Sequence, residues 1–240
     1  MVKHLLFILF YALYSLPAHP QSFSSKLYTT ADGLSDNYIF SVYQDSYGYI
    51  WVGTANGLNR YDGKRFITFG LKNGLPSTAV DKIFEDSHHR LWIGTRRGIS
   101  EFKSDTCYNY PTSDSLLIGF VSSFLEISPG KIWAATNRGV YELNNKVWVK
   151  KELYPGFKDQ HVSQIVNTSH GMYINYNGNR LVRKVNDNYE ELYNKNLKKI
   201  YFNGVYQRND TVYLSTYSGL FRLDGNKFVS HFEDTLKRKF

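Results

Sequence analysis

The sequence has 240 residues and a single cysteine, Cys107. One thiol cannot close an intrachain disulfide, and a cysteine-based metal centre needs several. Gly-x-Ser-x-Gly, a Walker-type glycine loop and His-Glu-x-x-His are all missing. Their absence removes the best-marked hydrolase, nucleotide-binding and zinc-enzyme assignments. Beyond the first twenty residues no stretch keeps a 3.6-residue apolar period, so a helical bundle is not expected. A dense basic stripe is lacking as well. The formal charge is +8, but lysine and arginine are scattered, and their one cluster is Lys237-Arg238-Lys239. Nucleic acid is therefore not an expected partner.

The N-terminus has its own pattern. Lys3 and His4 precede an apolar run from Leu5 to Leu16, and Pro17-Ala18-His19-Pro20-Gln21 breaks it. This is the layout of a secretory signal peptide, too short to span a bilayer. A signal peptide is expected over 1–20, leaving 21–240 exported to the periplasm or beyond. No cysteine follows the run, so no lipoprotein anchor is expected.

What the sequence has in abundance is aromatic residues, 17% of the total with 20 Tyr and 16 Phe. Such side chains suit a pleated, half-buried surface. They also recur in register. Trp51, Trp92 and Trp133 lie 41 residues apart, and Tyr173 and Tyr213 continue the series at spacings of 40. Two places on stand small or modest residues, Gly53, Gly94, Ala135, Asn175 and Ser215. Six places on stand Gly57, Gly98, Gly139, Asn179 and Gly219. Upstream, apolar pairs recur as Ile39/Val42, Val80/Ile83, Val121/Phe124, Val162/Ile165 and Phe202/Val205.

Each unit reads as four short strands, here A to D. Strand A holds the apolar pair, B the Trp or Tyr, and C follows the glycine. Asp45-Ser46-Tyr47-Gly48 is an A–B turn, with Asp and Ser bonding nearby backbone. Ala55-Asn56-Gly57 is a B–C turn, and Asn179 is expected to supply the left-handed residue in the fourth unit. Asp62-Gly63 and Asp224-Gly225 read as two-residue hairpins. Four antiparallel strands in about forty residues describe a propeller blade. The expected fold is an all-β β-propeller of four-stranded antiparallel blades, with five repeats at about 34–69, 75–110, 118–150, 161–192 and 199–232. Residues 23–30 are read as one more strand, aligned with a strand D through Tyr28 and Gly33. The fifth unit already has its own fourth strand, so this extra strand lacks a partner. The ring is expected to be incomplete, with two further blades needed for seven.

The segments Asp45-x-x-Gly48-x-x-Trp51-Val52-Gly53-Thr54-x-x-Gly57-Leu58-Asn59-Arg60-Tyr61-Asp62 and Asp86 to Ile99 resemble the two-component regulator propeller repeat. The segment Tyr28 to Asn37 resembles the usual start of such proteins. That resemblance implies the periplasmic sensor region of a membrane histidine kinase or hybrid two-component system, of the Bacteroidota type, in which many members respond to glycans. It implies as partners an oligosaccharide and the missing blades or membrane signalling domains of a longer receptor. The kinase parts have no counterpart in this sequence, so no kinase activity is carried over.

No catalytic residue, metal ligand or cofactor is expected. His88-His89 and the recurring Asp45 and Asp86 occupy turns, where solvation and backbone capping account for them. A glycosidase-type carboxylate pair cannot be recognised without three-dimensional placement. Strand parity puts the B–C turns and the longer D–A connections on one face. Long connections on a rigid scaffold are where binding residues concentrate. Arg96, Arg97, Arg138 and Tyr217, at equivalent B–C turn positions, are the candidate ligand contacts. The expected function is a non-catalytic, extracytoplasmic ligand-sensing propeller. The alternatives are a secreted propeller enzyme acting on carbohydrate, such as a lyase or sialidase-like hydrolase, and a pure interaction scaffold.

Overall fold

Each repeat folds as its own sheet of four consecutive antiparallel strands. The computed structural model describes residues 25–113, 118–154, 156, 160–192 and 201–230. The signal peptide expected at 1–20 lies outside the described residues. Blade 1 holds β1 (Ile39–Gln44), β2 (Ile50–Thr54), β3 (Gly57–Tyr61) and β4 (Phe66–Phe69). Blade 2 holds β5 (Val80–Glu85), β6 (Leu91–Thr95), β7 (Gly98–Lys103) and β8 (Thr106–Tyr110). Blade 3 holds β9 (Val121–Ser128), β10 (Lys131–Thr136), β11 (Gly139–Asn144) and β12 (Val147–Lys151). Blade 4 holds β13 (Val162–Thr168), β14 (Gly171–Tyr176), β15 (Arg180–Val185) and β16 (Asn188–Leu192). Blade 5 holds β17 (Phe202–Arg208), β18 (Thr211–Thr216), β19 (Gly219–Asp224) and β20 (Lys227–Ser230). In every sheet the strands pair in chain order. The inner strands β1, β5, β9, β13 and β17 each pack on the next. The protein is an all-β propeller assembly.

The spacing of the repeat follows from how one blade meets the next. A Cβ built on Gly53 would lie 2.6 Å from the Val80 carbonyl oxygen, and one on Gly94 would lie 2.6 Å from the Val121 Cβ. The next inner strand presses directly on these glycines. In the fourth blade the place belongs to Asn175, fully buried, whose amide donates to the Phe202 carbonyl at 3.0 Å. Four buried apolar clusters fill the junctions between consecutive blades. The first joins Trp51, Leu58 and Phe69 to Val80 and Ile83, and the others repeat the arrangement around Trp92, Trp133 and Tyr173.

Five blades with four such cores form an open arc. Val80, Val121 and Val162 are at most 1% exposed, whereas the equivalent Ile39 is 42% exposed. Val42 is 63% exposed where Ile83 is 3%. At the other end Tyr213 and Leu220 are partly exposed, while Trp92 and Ile99 are buried. Among the described residues, no blade covers the apolar pair of β1 as the other inner strands are covered.

Three local expectations need correction. Residues 25–29, the described part of the strand expected at 23–30, form no strand. They lead instead into a 3-10 turn over Thr30–Asp32 that ends at Gly33 with φ 103°. Tyr28 packs back onto blade 1, its hydroxyl 2.9 Å from that of Tyr61 and its ring 5.5 Å from Phe66. In the fourth blade the left-handed residues are Asn177 and Gly178, not Asn179. Tyr176 pairs with Arg180 there, so the loop is one residue longer than in the other blades, where Thr54 pairs with Gly57, and positive φ falls at its first two residues. The β3–β4 connection is longer than a two-residue hairpin, because Tyr61 pairs with Phe66. Asp62 closes it by accepting the Lys64 and Arg65 amides at 2.8 and 2.9 Å. In blade 5 Asp224 pairs with Lys227, leaving a two-residue turn.

Candidate ligand face

The B–C turns are locked from within by a threonine. Thr95 Oγ1 donates to the Gly98 carbonyl at 3.0 Å and accepts the Arg97 amide at 3.2 Å. Thr54, Thr136 and Thr216 donate to the Gly57, Gly139 and Gly219 carbonyls in the same way. This is why Thr-x-x-Gly recurs: one hydroxyl satisfies two backbone groups and fixes the pair of residues between. Those pairs are the exposed tips, and they include Arg96, Arg97, Arg138 and Tyr217. Four of the five turns, those of blades 1, 3, 4 and 5, are also tied to the segment entering the inner strand, as Ala55 is to Tyr38 at 3.0 Å. Asn137 donates its amide to the Phe120 carbonyl at 3.3 Å, Asn177 to His161 at 2.8 Å and Tyr217 to Tyr201 at 3.4 Å. The turns and the incoming D–A connections therefore share one face.

The four candidate residues are not gathered into one site. Arg97 and Arg138 are exposed, with only their backbone amides engaged in the turn. Tyr217 is 80% exposed and meets Tyr201 edge-on at 6.1 Å. Arg96 alone turns toward the inner strands. Its Nε lies 3.6 Å from Asp81 Oδ1, and its guanidinium lies 5.5 Å from the centre of the Phe40 ring.

Arg96 borders a cleft of about 410 Å³ lined by Phe40, Asp81, Gly119, Phe120 and Asn137 as well. Its position comes from a feature that sequence pattern did not reveal. Every inner strand carries a β-bulge at its second residue. Ile39 pairs with Thr54 and Ser41 with Gly53, so Phe40 is the extra residue. Asp81, Ser122, Ser163 and Asn203 occupy the same place in the other blades. A bulge re-aims its unpaired residue, and here it delivers Phe40 and Asp81 to the cleft. Their types differ from blade to blade, so no repeated letter marks them.

Electrostatically the cleft is polar but close to neutral. Asp81 is mostly buried, and its desolvation raises the carboxyl pKa despite Arg96 nearby. Burial lowers the pKa of His161, whose ring meets Phe120 at 5.1 Å. No group of three or more His, Cys, Asp or Glu able to hold a metal occurs among the described residues. A larger cleft of about 660 Å³ opens on the opposite face, between blades 2 and 3, lined by Arg90, Glu101, Lys103, Tyr108, Tyr110 and Lys146 among others. Its inner polar groups already bond protein partners: Arg90 Nε donates to Asp86 at 2.7 Å and Tyr110 to Glu101 at 2.5 Å.

His88, His89, Asp45 and Asp86 lie in the A–B turns, away from the ligand face. Asp86 accepts the His88 and Arg90 amides at 2.9 and 3.0 Å and the Trp92 indole at 2.9 Å. Its role is to hold the turn.

The sequence profile of the family described as Two component regulator propeller matches residues 33–56 and 74–97. Those two segments are similar to that repeat. Each match begins at a left-handed glycine, Gly33 or Gly74, and runs through the Trp-x-Gly-Thr strand and into the turn. Histidine kinase P4 of Formosa agariphila is 44% identical over 52 residues, which is 22% of this chain and 4% of that kinase. Among solved structures, the extracellular domain of the hybrid two component system BT3049 from B. thetaiotaomicron superposes with TM-score 0.71 at 19% identity, over 85% of this chain and 31% of that one. The extracellular domain of BT4673 from the same organism gives 0.68 at 18% identity, over 88% and 33%. At those identities the likeness establishes the propeller fold, and the chain spans about a third of each of these domains.

Proposed function

We propose that this propeller is the extracytoplasmic ligand-sensing part of a two-component signalling receptor, that it answers to an extracellular oligosaccharide, and that it performs no chemistry itself. The observation that supports this reading is the coincidence of the family's repeats with a polar cleft on the face of the long connections. Turns locked by threonine present Arg96 at that cleft and Arg97, Arg138 and Tyr217 elsewhere on the same face for ligand contact, and a guanidinium fork suits hydroxyl and carboxylate oxygens. Further blades or membrane signalling domains of a longer receptor are its protein partners. Export to the periplasm fits the leader-like N-terminus, and no helix among the described residues is long and apolar enough to cross a membrane.

The test is titration calorimetry of the purified chain against an oligosaccharide panel, with the same mixtures assayed for released products. Binding without turnover is the expected result. Turnover would replace the sensor with a carbohydrate-active enzyme, and neither binding nor turnover would leave an interaction scaffold.

A further inference from the structure

At two blade junctions the strand-C residue opposite the core aromatic reaches across to the second residue of the next blade's C–D turn. Arg60 Nη1 meets Asp105 Oδ1 at 3.2 Å, and Arg183 Nη2 meets Asn226 Oδ1 at 2.7 Å. Between blades 2 and 3 the same places hold Glu101, opposite Trp92, and Lys146 in the Asn145-Lys146 turn. These two form no ion pair, and both line the cleft of about 660 Å³. The acids here are already engaged. Glu101 Oε2 accepts the Tyr110 hydroxyl at 2.5 Å, and burial together with that carboxylate pushes the tyrosine pKa up to about 12, so the proton stays. Buried Asp86 takes the Trp92 indole at 2.9 Å and Arg90 Nε at 2.7 Å. The bases are not engaged in the same way. Lys103 and Lys146 line the cleft with no side-chain partner among the described residues, and Arg90 bonds through Nε alone, leaving both Nη groups without an acceptor. Arg90 is nevertheless fixed, because Asp86 anchors it and its guanidinium lies 5.2 Å from the centre of the Trp92 ring. Three cations against two carboxylates leave one positive charge in excess. Tyr108, 50% exposed, and Leu143 supply an apolar wall.

We infer that this cleft binds a small organic acid with a flat apolar body, its carboxylate met by Arg90, Lys103 and Lys146 and its ring resting on Tyr108. The two Nη groups of a guanidinium lie in one plane and match the two oxygens of a carboxylate. An excess of one positive charge suits a monoanion and disfavours a cation. A neutral polyol would need acceptors for its hydroxyls, and both carboxylates already hold protein donors. An exposed tyrosine ring favours an offset or edge-on aromatic partner. The volume falls in the range of small-ligand pockets. One backbone feature supports a built site. Lys146 has φ 64°, in the left-handed region that glycine fills at least cost, so a cation stands where the turn alone would favour glycine.

This site lies on the face opposite the proposed sensing cleft and does not depend on that reading. The test is ligand-observed NMR titration of the purified whole chain with benzoate, benzamide, benzylammonium and inorganic phosphate. Benzoate should bind about tenfold tighter than benzamide, and its affinity should fall as salt rises. Lys103→Gln and Lys146→Gly should each weaken benzoate about fivefold, the loss of one exposed charge-assisted contact. Lys146→Gly keeps the left-handed turn, and Lys103→Arg, which keeps the charge, should lose less than Lys103→Gln. Lys64→Ala, an exposed lysine of blade 1, should bind like wild type. Tyr108→Ala, which alters no charge, should weaken benzoate without changing its salt dependence, and it keeps the comparison valid if a lysine variant folds poorly. Equal benzoate affinity in all variants overturns the site. Benzamide binding as tightly as benzoate, or preference for phosphate or benzylammonium, overturns the ligand class. No binding of any probe overturns the inference, while the oligosaccharide panel decides the sensing reading separately.

Discussion

The indole N–H of Trp92 donates to Asp86 Oδ2 at 2.9 Å, six residues back along the chain, and Trp51 does the same to Asp45 at 2.7 Å. One carboxylate thereby holds both its own A–B turn and the core aromatic of the following strand. In blade 3 the position before the turn is Ile127, and Glu142 on the neighbouring strand takes the Trp133 indole at 2.7 Å instead. The partner has changed while the indole bond is kept.

Asp86→Ala should destabilise the protein by about 2–4 kcal/mol in urea unfolding, because it strands the Trp92 indole, two amides and Arg90 together. A loss below about 0.5 kcal/mol would show that the turn holds without its carboxylate.

The same carboxylates set an acid limit. Burial pushes Asp86 up, but the bonds from Trp92 and Arg90 outweigh it and hold the carboxyl below its ordinary pKa. Glu126 and Glu142 are likewise raised by burial and lowered further by their bonds, to Gly130 and Ser87 in one case and to Lys151 and Trp133 in the other. A depressed folded pKa gives stability that is present above the unfolded value, about 4, and is lost as pH falls through the folded value. Melting temperature should therefore drop steadily below about pH 4, with a shallower drop in Asp86→Ala. An unchanged slope in that variant would assign the acid sensitivity to other groups.

Gly94→Ala should cost about 1–3 kcal/mol, since the new Cβ meets the Val121 Cβ at 2.6 Å and the blades must part. Gly70→Ala, with nothing within 4 Å, should be close to neutral. Equal stability of the two variants in denaturant titrations would contradict the close approach of blades 2 and 3.

Cys107 is 5% exposed, and burial pushes its thiol up to about 12. A thiol reagent at pH 8 should leave the native protein unlabelled and take up one equivalent after unfolding. Rapid labelling of native protein would place β8 outside the junction between blades 1 and 2.

Strands and blades could be read from the sequence because the features that define them use few residue types. Gly53 and Gly94 must be small where the next blade presses, and Thr54, Thr95, Thr136 and Thr216 must carry a hydroxyl to lock a turn. These demands leave a periodic signature. The clasp between blades was not read. Ser46 donates its amide and hydroxyl to Glu85 at 2.8 and 2.7 Å, and Ser87 repeats this with Glu126. Both are polar residues at turn and strand ends, where solvated residues look the same. The cleft was half read. Arg96 stood out at a turn tip, but Asp81 did not, because a bulge inserts a residue without imposing its type.

The open arc also predicts an asymmetry between equivalent residues. Val42→Ser should cost less than about 0.5 kcal/mol, as surface changes do, whereas Ile83→Ser should cost several times more, as core truncations do. Similar losses from the two would mean that blade 1 is covered as blade 2 is.

Hydroxyl-radical footprinting read by mass spectrometry tests the open arc most directly, because it reports the exposure of side chains. Tyr38, just before the first inner strand, and Ile39, Phe40 and Val42 on it are 75%, 42%, 42% and 63% exposed, while Val80, Ile83 and Val121 are 0%, 3% and 1%. Strong modification of the first group beside protection of the second is the predicted result. Protection of β1 to the level of β5 would contradict it, and would show that something closes the ring on that side.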